Sequence, residues 1–309
     1  MRPNSQDPLL LQDPTYAHVR DVLKQMRRGE ATSYRRPLSK PIEPFNGVWR
    51  QQIIEWMYTL VKYCKLRHEA AAAGAYFLDT AVARGVIKTP SDYQLGAMTS
   101  LYLGLKVFDS PSMRVVRLSS LVKLGNAEFT ENDIIQMERD MVKAMGWRLN
   151  PPTPNCFLQQ YLVLLPTLNE STKTQIEEKA LEALEIAVAN ERFYSMKPSV
   201  LGCAALLVAL DRYLEAQKRT IPGCGAEMIS LWQLRTFLYN MKHIAKLDHT
   251  SVLISQTTSM LERALKPLAT TNASEPATVS NNSSKDSTYM FESRGSNGAS
   301  SSPTNVAFQ

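Results

Sequence analysis

Residues 91–109, SDYQLGAMTSLYLGLKVFD, constrain the fold more than any other stretch of the chain. At helical spacing, Leu95, Ala97, Met98, Leu101, Tyr102, Leu103 and Leu105 cover most of a helix's circumference. A helix apolar on nearly every side belongs inside a bundle rather than on its surface. Gly96, Ala97, Ser100 and Gly104 are small enough to let neighbouring helices approach closely. The stretch then stops: Lys106 is the first charge after Asp92, Asp109 follows, and Ser110-Pro111 ends the helix. The lysine at the exit of this buried helix is the feature on which a functional reading builds.

The flanking sequence reads as helical almost throughout. Residues 1–14 are rich in Pro, Gln and Asp and are expected to be disordered. Residues 16–28 carry Tyr16, Val19, Leu23 and Met26 on one stripe, with Gly29 as the expected C-cap. Residues 31–46 hold three prolines and predict an extended connector. Helices are expected over 49–63, 68–84, 91–109 and 114–124, and from Thr130, with Asp133 in a weak capping box, to 145. Pro151, Pro152 and Pro154 break the pattern, so 150–154 read as a linker. A second set follows over 155–164, from an N-cap at Ser171 to 190, from Pro198 through a heavily apolar helix, over 227–239 and over 250–266. Its order of sizes echoes the first set, a structural repeat with little residue identity. The expected fold is all-α, with an arm over 1–46 that carries one helix, a five-helix domain over 47–150 and a second over 151–267. A Ser/Asn/Thr-rich tail over 268–309 is too polar to offset its ordering entropy and is expected to be disordered.

Composition removes several function classes. No run of about 18 apolar residues is present, so no membrane span is expected. The N-terminus, MRPNSQDPLLLQDP, lacks the charged-then-apolar order of a signal peptide. Cys64, Cys156, Cys203 and Cys224 are widely spaced and suit reduced thiols in a cytosolic or nuclear protein. His243 and His249 are the nearest pair of potential ligands, and neither a metal nor a cofactor is expected. Without a Gly-rich phosphate loop or a nucleophile–base arrangement, no catalytic residue is assigned. The net charge is +6 but dispersed, and Arg27-Arg28 and Arg35-Arg36 with Lys40 read as a solvated basic arm rather than a nucleic-acid or nuclear-import patch.

Two five-helix repeats joined by a proline linker and preceded by a helix resemble a cyclin. Trp49-Arg50-Gln51-Gln52-Ile53-Ile54-Glu55-Trp56 resembles the family's MRAILVDW segment, and Tyr76-Phe77-Leu78-Asp79 its YLDR segment. Leu103-Gly104-Leu105-Lys106-Val107-Phe108-Asp109 resembles LASKFEE. Ile135 to Arg139, with Gly146-Trp147-Arg148-Leu149-Asn150-Pro151-Pro152-Thr153, resembles the fifth helix of the first cyclin box and its exit. Residues 16–28 are similar to the helix before the box in mitotic A- and B-type cyclins. The resemblance is fullest over 16–155 and rests mainly on 198–210 in the second half.

The resemblance implies a regulatory subunit that binds and activates a cyclin-dependent kinase, acts in cell-cycle progression, and resides in nucleus and cytoplasm. Lys106 and Glu138 match the family's kinase-contacting pair, surrounded by Leu103, Phe108, Asp109, Trp147 and Leu149. A lysine ammonium brings three donors and a glutamate brings acceptors, which suits them to gripping a partner helix. In the family that helix is the kinase αC helix, whose Glu must pair with the ATP-binding Lys. Taken alone, the two residues would more readily serve as an intramolecular ion pair or as solvated charges, and Leu103 equally as core. Arg50 and Asp79 match a structural ion pair. Trp49, Ile53, Trp56 and Gln94 match a patch that docks Arg-x-Leu motifs of substrates and inhibitors, although such a stripe also serves a core, and Trp56 is expected to be largely buried.

Several residues depart from the family pattern. Trp49 replaces a Met, Thr59 a frequent acid of the patch, Thr80 the Arg of YLDR, and Phe108 the first acid of LASKFEE. The RxxL strings at Arg20 and Arg35 lack the downstream Asn of a destruction box, and Ser302-Pro303 has the form of a proline-directed phosphosite. The basic balance also keeps open a cyclin-fold transcription factor similar to the core of TFIIB, bound to DNA, although no zinc ribbon or dense basic stripe accompanies it.

Overall fold

The helix signals become eleven α-helices among the described residues, with no strand between them. The structure is a computed structural model, and it describes residues 14–36, 47–108, 117–124, 129–166, 168–219 and 229–266. Lys40, Asp109, Cys224 and the tail with Ser302-Pro303 lie outside these residues. The order is α1 (Pro14–Ala31), α2 (Gly47–Tyr63), α3 (His68–Ala83), α4 (Pro90–Phe108), α5 (Leu118–Leu124) and α6 (Glu131–Ala144). Then come α7 (Pro154–Val163), α8 (Glu170–Ala189), α9 (Pro198–Arg219), α10 (Leu231–His243) and α11 (Val252–Leu265). A leading helix and two sets of five match the expected all-α repeat.

Helix α4 is the buried axis of the first set. Tyr93, Ala97, Met98, Leu101, Leu103 and Leu105 are all buried. Its partner α3 supplies an alanine face, and the two backbones meet where both are small. A Cβ on Gly104 would lie 2.2 Å from the Ala70 carbonyl oxygen, and one on Gly74 3.3 Å from the Leu101 Cα. Close packing leaves no room for a side chain at Gly104 and only a tight fit at Gly74.

The starts of helices follow local capping chemistry. Thr89 and Asp92 exchange backbone-to-side-chain bonds at 3.0 and 3.1 Å to open α4. Thr130 and Asp133 form the expected capping box of α6. Two expected starts are corrected. Asn169, not Ser171, caps α8 by accepting the Thr172 N–H at 2.7 Å. The helix expected from 227 begins at Leu231, because Ser230 and Gln233 form a capping box there. Gly29 is not a C-cap either. Helix α1 runs through it to Ala31, and the Thr32 hydroxyl closes the end on the Arg28 carbonyl at 2.7 Å.

Helix α1 serves the second set rather than the first. Val19 and Leu23 are buried in one core with Phe157, Leu158, Tyr161, Leu201 and Phe237. At its end, the Glu30 carboxylate accepts both the N–H and the hydroxyl of Ser199, in the first turn of α9. A carboxylate there satisfies an orphan N–H and complements the helix dipole.

A buried cation joins the two sets. Arg50 Nε and Nη2 donate to the two Asp79 oxygens at 2.8 and 2.9 Å, and Nη1 donates to the Ala189 carbonyl at 2.9 Å. Burial pulls the Arg50 pKa down, and the facing Asp79 more than offsets it, so the net shift is upward. Arg36, expected in a solvated arm, is instead half-buried. It donates from Nη1 to the Tyr194 carbonyl at 3.1 Å and lies 5.6 Å from the Tyr194 ring centroid. Both sets of helices belong to one compact unit ending at Lys266.

Candidate functional site

Lys106 stands in the last turn of α4, where the buried helix reaches the surface. Helix α6 packs beside it and presents Glu138. Lys106 Nζ donates to Glu138 Oε1 at 2.5 Å and to Oε2 at 2.8 Å. The side chains remain 38% and 18% exposed, so the pair is open to a partner. One turn back on α4, the Tyr102 ring centroid lies 4.4 Å from the ammonium. A cation over a ring face gains electrostatic attraction, and the contact fixes where the lysine points. In the sequence Tyr102 stands among the residues that cover the helix. Its i, i+4 spacing to Lys106 was the signal that placed it under the charge.

The apolar residues expected around the pair divide. Phe108 and Leu149 are half-buried, and Trp147 is 77% exposed. Leu103 is corrected: at 2% exposure it packs inside the bundle and supports the face without being reachable from outside. Asp109 lies outside the described residues.

Trp147 is presented by the way α6 ends. The Gly146 N–H bonds to the Lys143 carbonyl at 2.9 Å and the Trp147 N–H to the Val142 carbonyl at 3.1 Å. This is a Schellman closure with Gly146 at φ +61°. Trp147 follows at φ +62°, a left-handed conformation that costs a bulky residue about 1–3 kcal/mol. The turn therefore holds a large apolar side chain out in water.

The second expected patch is only partly a surface. Ile53 is 4% exposed and belongs to the core, which corrects its place in a docking stripe. Trp49, Trp56 and Gln94 are half-buried, in keeping with the expected burial of Trp56. Thr59 is exposed and donates its hydroxyl to the Glu55 carbonyl at 2.8 Å, which leaves no acid at its position. The expected ion pair of Arg50 and Asp79 is formed, 0% and 2% exposed, and lies beneath these surfaces rather than on them.

Among the described residues no group of three or more His, Cys, Asp or Glu could hold a metal ion, and no helix is long and apolar enough to cross a membrane. Burial pushes the Cys203 thiol up to about 12 and raises Cys64 and Cys156, so all three are poor nucleophiles.

Residues 21–150 match the family described as cyclin, N-terminal domain. The chain is 27% identical over 171 residues to cyclin-O protein B of Xenopus laevis, covering 53% of this chain and 46% of that protein. It is 26% identical over 196 residues to cyclin-B2-2 of Oryza sativa subsp. indica, covering 62% and 44%. To the cyclin-J-like protein of Mus musculus it is 22% identical over 261 residues, covering 79% and 63%. The matches to the first two span about half the length of each relative. The fold is similar to the X-ray structure of a viral cyclin from herpesvirus saimiri, with a TM-score of 0.56 and 13% identity over 81% of this chain and 96% of that one.

Proposed function

We propose that the chain is a cyclin, the regulatory subunit of a cyclin-dependent Ser/Thr protein kinase, acting in cell-cycle progression from nucleus and cytoplasm. The supporting observation is the exposed Lys106–Glu138 pair at the junction of α4 and α6. Two of the three ammonium donors of Lys106 face Glu138, which leaves one for a partner's carbonyl oxygen. The carboxylate retains lone pairs for a partner's N–H groups. Together they read the polar backbone at a helix end, while Phe108, Trp147 and Leu149 supply apolar contact. Aromatic anchors beside hydrogen-bonded charges are the composition of an interface hot spot.

In this reading the chain performs no chemical step. It binds the active arrangement of the kinase αC helix better than the inactive one, and differential affinity alone shifts the population. Trp49, Trp56 and Gln94 dock Arg-x-Leu segments of substrates or inhibitors, with a preference altered by Trp49 and by the missing acid at Thr59.

The test is co-purification of a cyclin-dependent kinase with the full chain and with Lys106→Ala/Glu138→Ala. Loss of the kinase with unchanged helical content supports the proposal. Full recovery of the kinase by the double variant overturns it.

A further inference from the structure

A cleft of about 580 Å³ lies away from the kinase-binding pair, between the end of α1 and the connector that precedes α9. Its cations are Arg35, Arg36, Arg192 and Lys197. Two carboxylates, Glu30 and Glu191, line it as well. Glu30 accepts two bonds from Ser199. Glu191 lies against the start of α2, where its Oε2 would be 2.0 Å from a Cβ on Gly47.

Buried donors in the cleft are left over. Arg36 Nε and the Tyr194 hydroxyl have no hydrogen-bond partner, and Tyr194 is 4% exposed. Buried polar groups are ordinarily satisfied, so unpaired ones at a cleft call for a ligand. Burial, with the neighbouring Arg50, pulls the Arg36 pKa down and outweighs the opposing effect of Asp79. Arg35, Arg192 and Lys197 are exposed at the same mouth and add a field that favours anions.

We propose that this cleft binds a phosphate monoester carried on a phosphorylated serine or threonine side chain of a partner segment. Arginine forks match phosphate oxygens, and a phosphoryl group at neutral pH carries the charge and acceptors that these donors lack. The volume lies in the range of a ligand pocket and exceeds what a free phosphate ion fills. Tyr34, Met196 and Pro198 line the remainder and offer apolar wall to the residues flanking the phosphate. The cations converge on one cleft instead of forming a stripe, which favours a single phosphate over a nucleic-acid backbone.

The inference goes beyond the kinase-binding reading, and its test needs no kinase. Fluorescence anisotropy would follow the full chain with a pool of threonine-centred peptides, phosphorylated and unphosphorylated. Inorganic phosphate and a single-stranded oligonucleotide serve as competitors. Saturable binding of the phosphorylated pool alone is expected, displaced by inorganic phosphate only in large excess. Arg192→Gln/Lys197→Gln should weaken it by about tenfold or more. Arg36→Lys should weaken it as well, with thermal melting to confirm the fold. Equal binding of both pools, binding unchanged in the double variant, free phosphate as tight as the peptide, or displacement by the oligonucleotide at equal phosphate concentration would each overturn the proposal.

Discussion

Glu30 and Ser199 lie 169 positions apart in the chain and meet through two hydrogen bonds, from the Ser199 N–H at 3.0 Å and from its hydroxyl at 2.6 Å. The contact caps α9 with a side chain from α1. Replacing Glu30 with Ala leaves the N–H of a buried helix start unpaired and should lower stability by about 1–3 kcal/mol. Urea unfolding would read this as a lower midpoint at unchanged slope.

Arg50→Ala strands Asp79 in the core and frees the Ala189 carbonyl. Breaking a buried pair from one side should cost about 3–5 kcal/mol. Arg50→Met/Asp79→Leu removes both charges and should melt above either single substitution. Thermal denaturation of the three proteins measures the ordering.

Exchanging the surface charges separates a fold role from a binding role. Lys106→Glu/Glu138→Lys keeps an ion pair, and exposed pairs contribute under about 1 kcal/mol. Stability should therefore hold while kinase recovery falls, because each charge now faces the wrong group on the partner. Recovery equal to the unaltered protein would mean that the pair only braces α4 on α6.

Two glycines should respond differently to alanine. At Gly104 the obstruction is the Ala70 carbonyl, backbone that cannot swing aside, so Gly104→Ala should cost about 1–3 kcal/mol. At Gly146 space is open but φ is +61°, so Gly146→Ala should cost about 1 kcal/mol and move Trp147. Tryptophan emission and melting temperature report the two effects.

Acid should weaken the helix starts. The Asp133 carboxylate accepts the Thr130 N–H and hydroxyl, which lowers its pKa. Asp92 is raised by burial, but bonds from Thr89 and Lys88 outweigh this and lower it. Asp248 is held low by Lys242 and Thr250. A depressed folded pKa gives stability that is present above the unfolded value of about 3.9 and lost as pH falls through the folded one. The melting temperature should therefore fall below about pH 4, less steeply in Asp133→Asn.

Local signals in the sequence were strong wherever one helix carried the whole message. The circumference of α4, the Thr130–Asp133 box and the proline linker all translate directly into structure. Capping chemistry two residues away misled: Ser171 has the right side chain, but Asn169 reaches the Thr172 N–H first. Gly29 looked like a stop because glycine tolerates positive φ, yet the Thr32 hydroxyl closes the helix instead. What could not be read were contacts between distant segments. Nothing in an Arg-Arg pair distinguishes a solvated arm from Arg36 laid against Tyr194, and nothing near Leu103 said which side of α4 it would take. The Lys106–Glu138 contact was legible only through the resemblance, while Tyr102 beneath it was legible from spacing alone.

The seat of α1 sets an order of events during synthesis. Val19 and Leu23 leave the ribosome early, but the residues that shelter them, from Phe157 to Leu261, are translated much later. Until then the first helix keeps a wet apolar stripe, a handle for chaperones and a hazard for aggregation. Helices α2 to α6 can collapse around α4 in the meantime. Helix α1 gains its shelter only when the second set, translated after it, closes over its stripe.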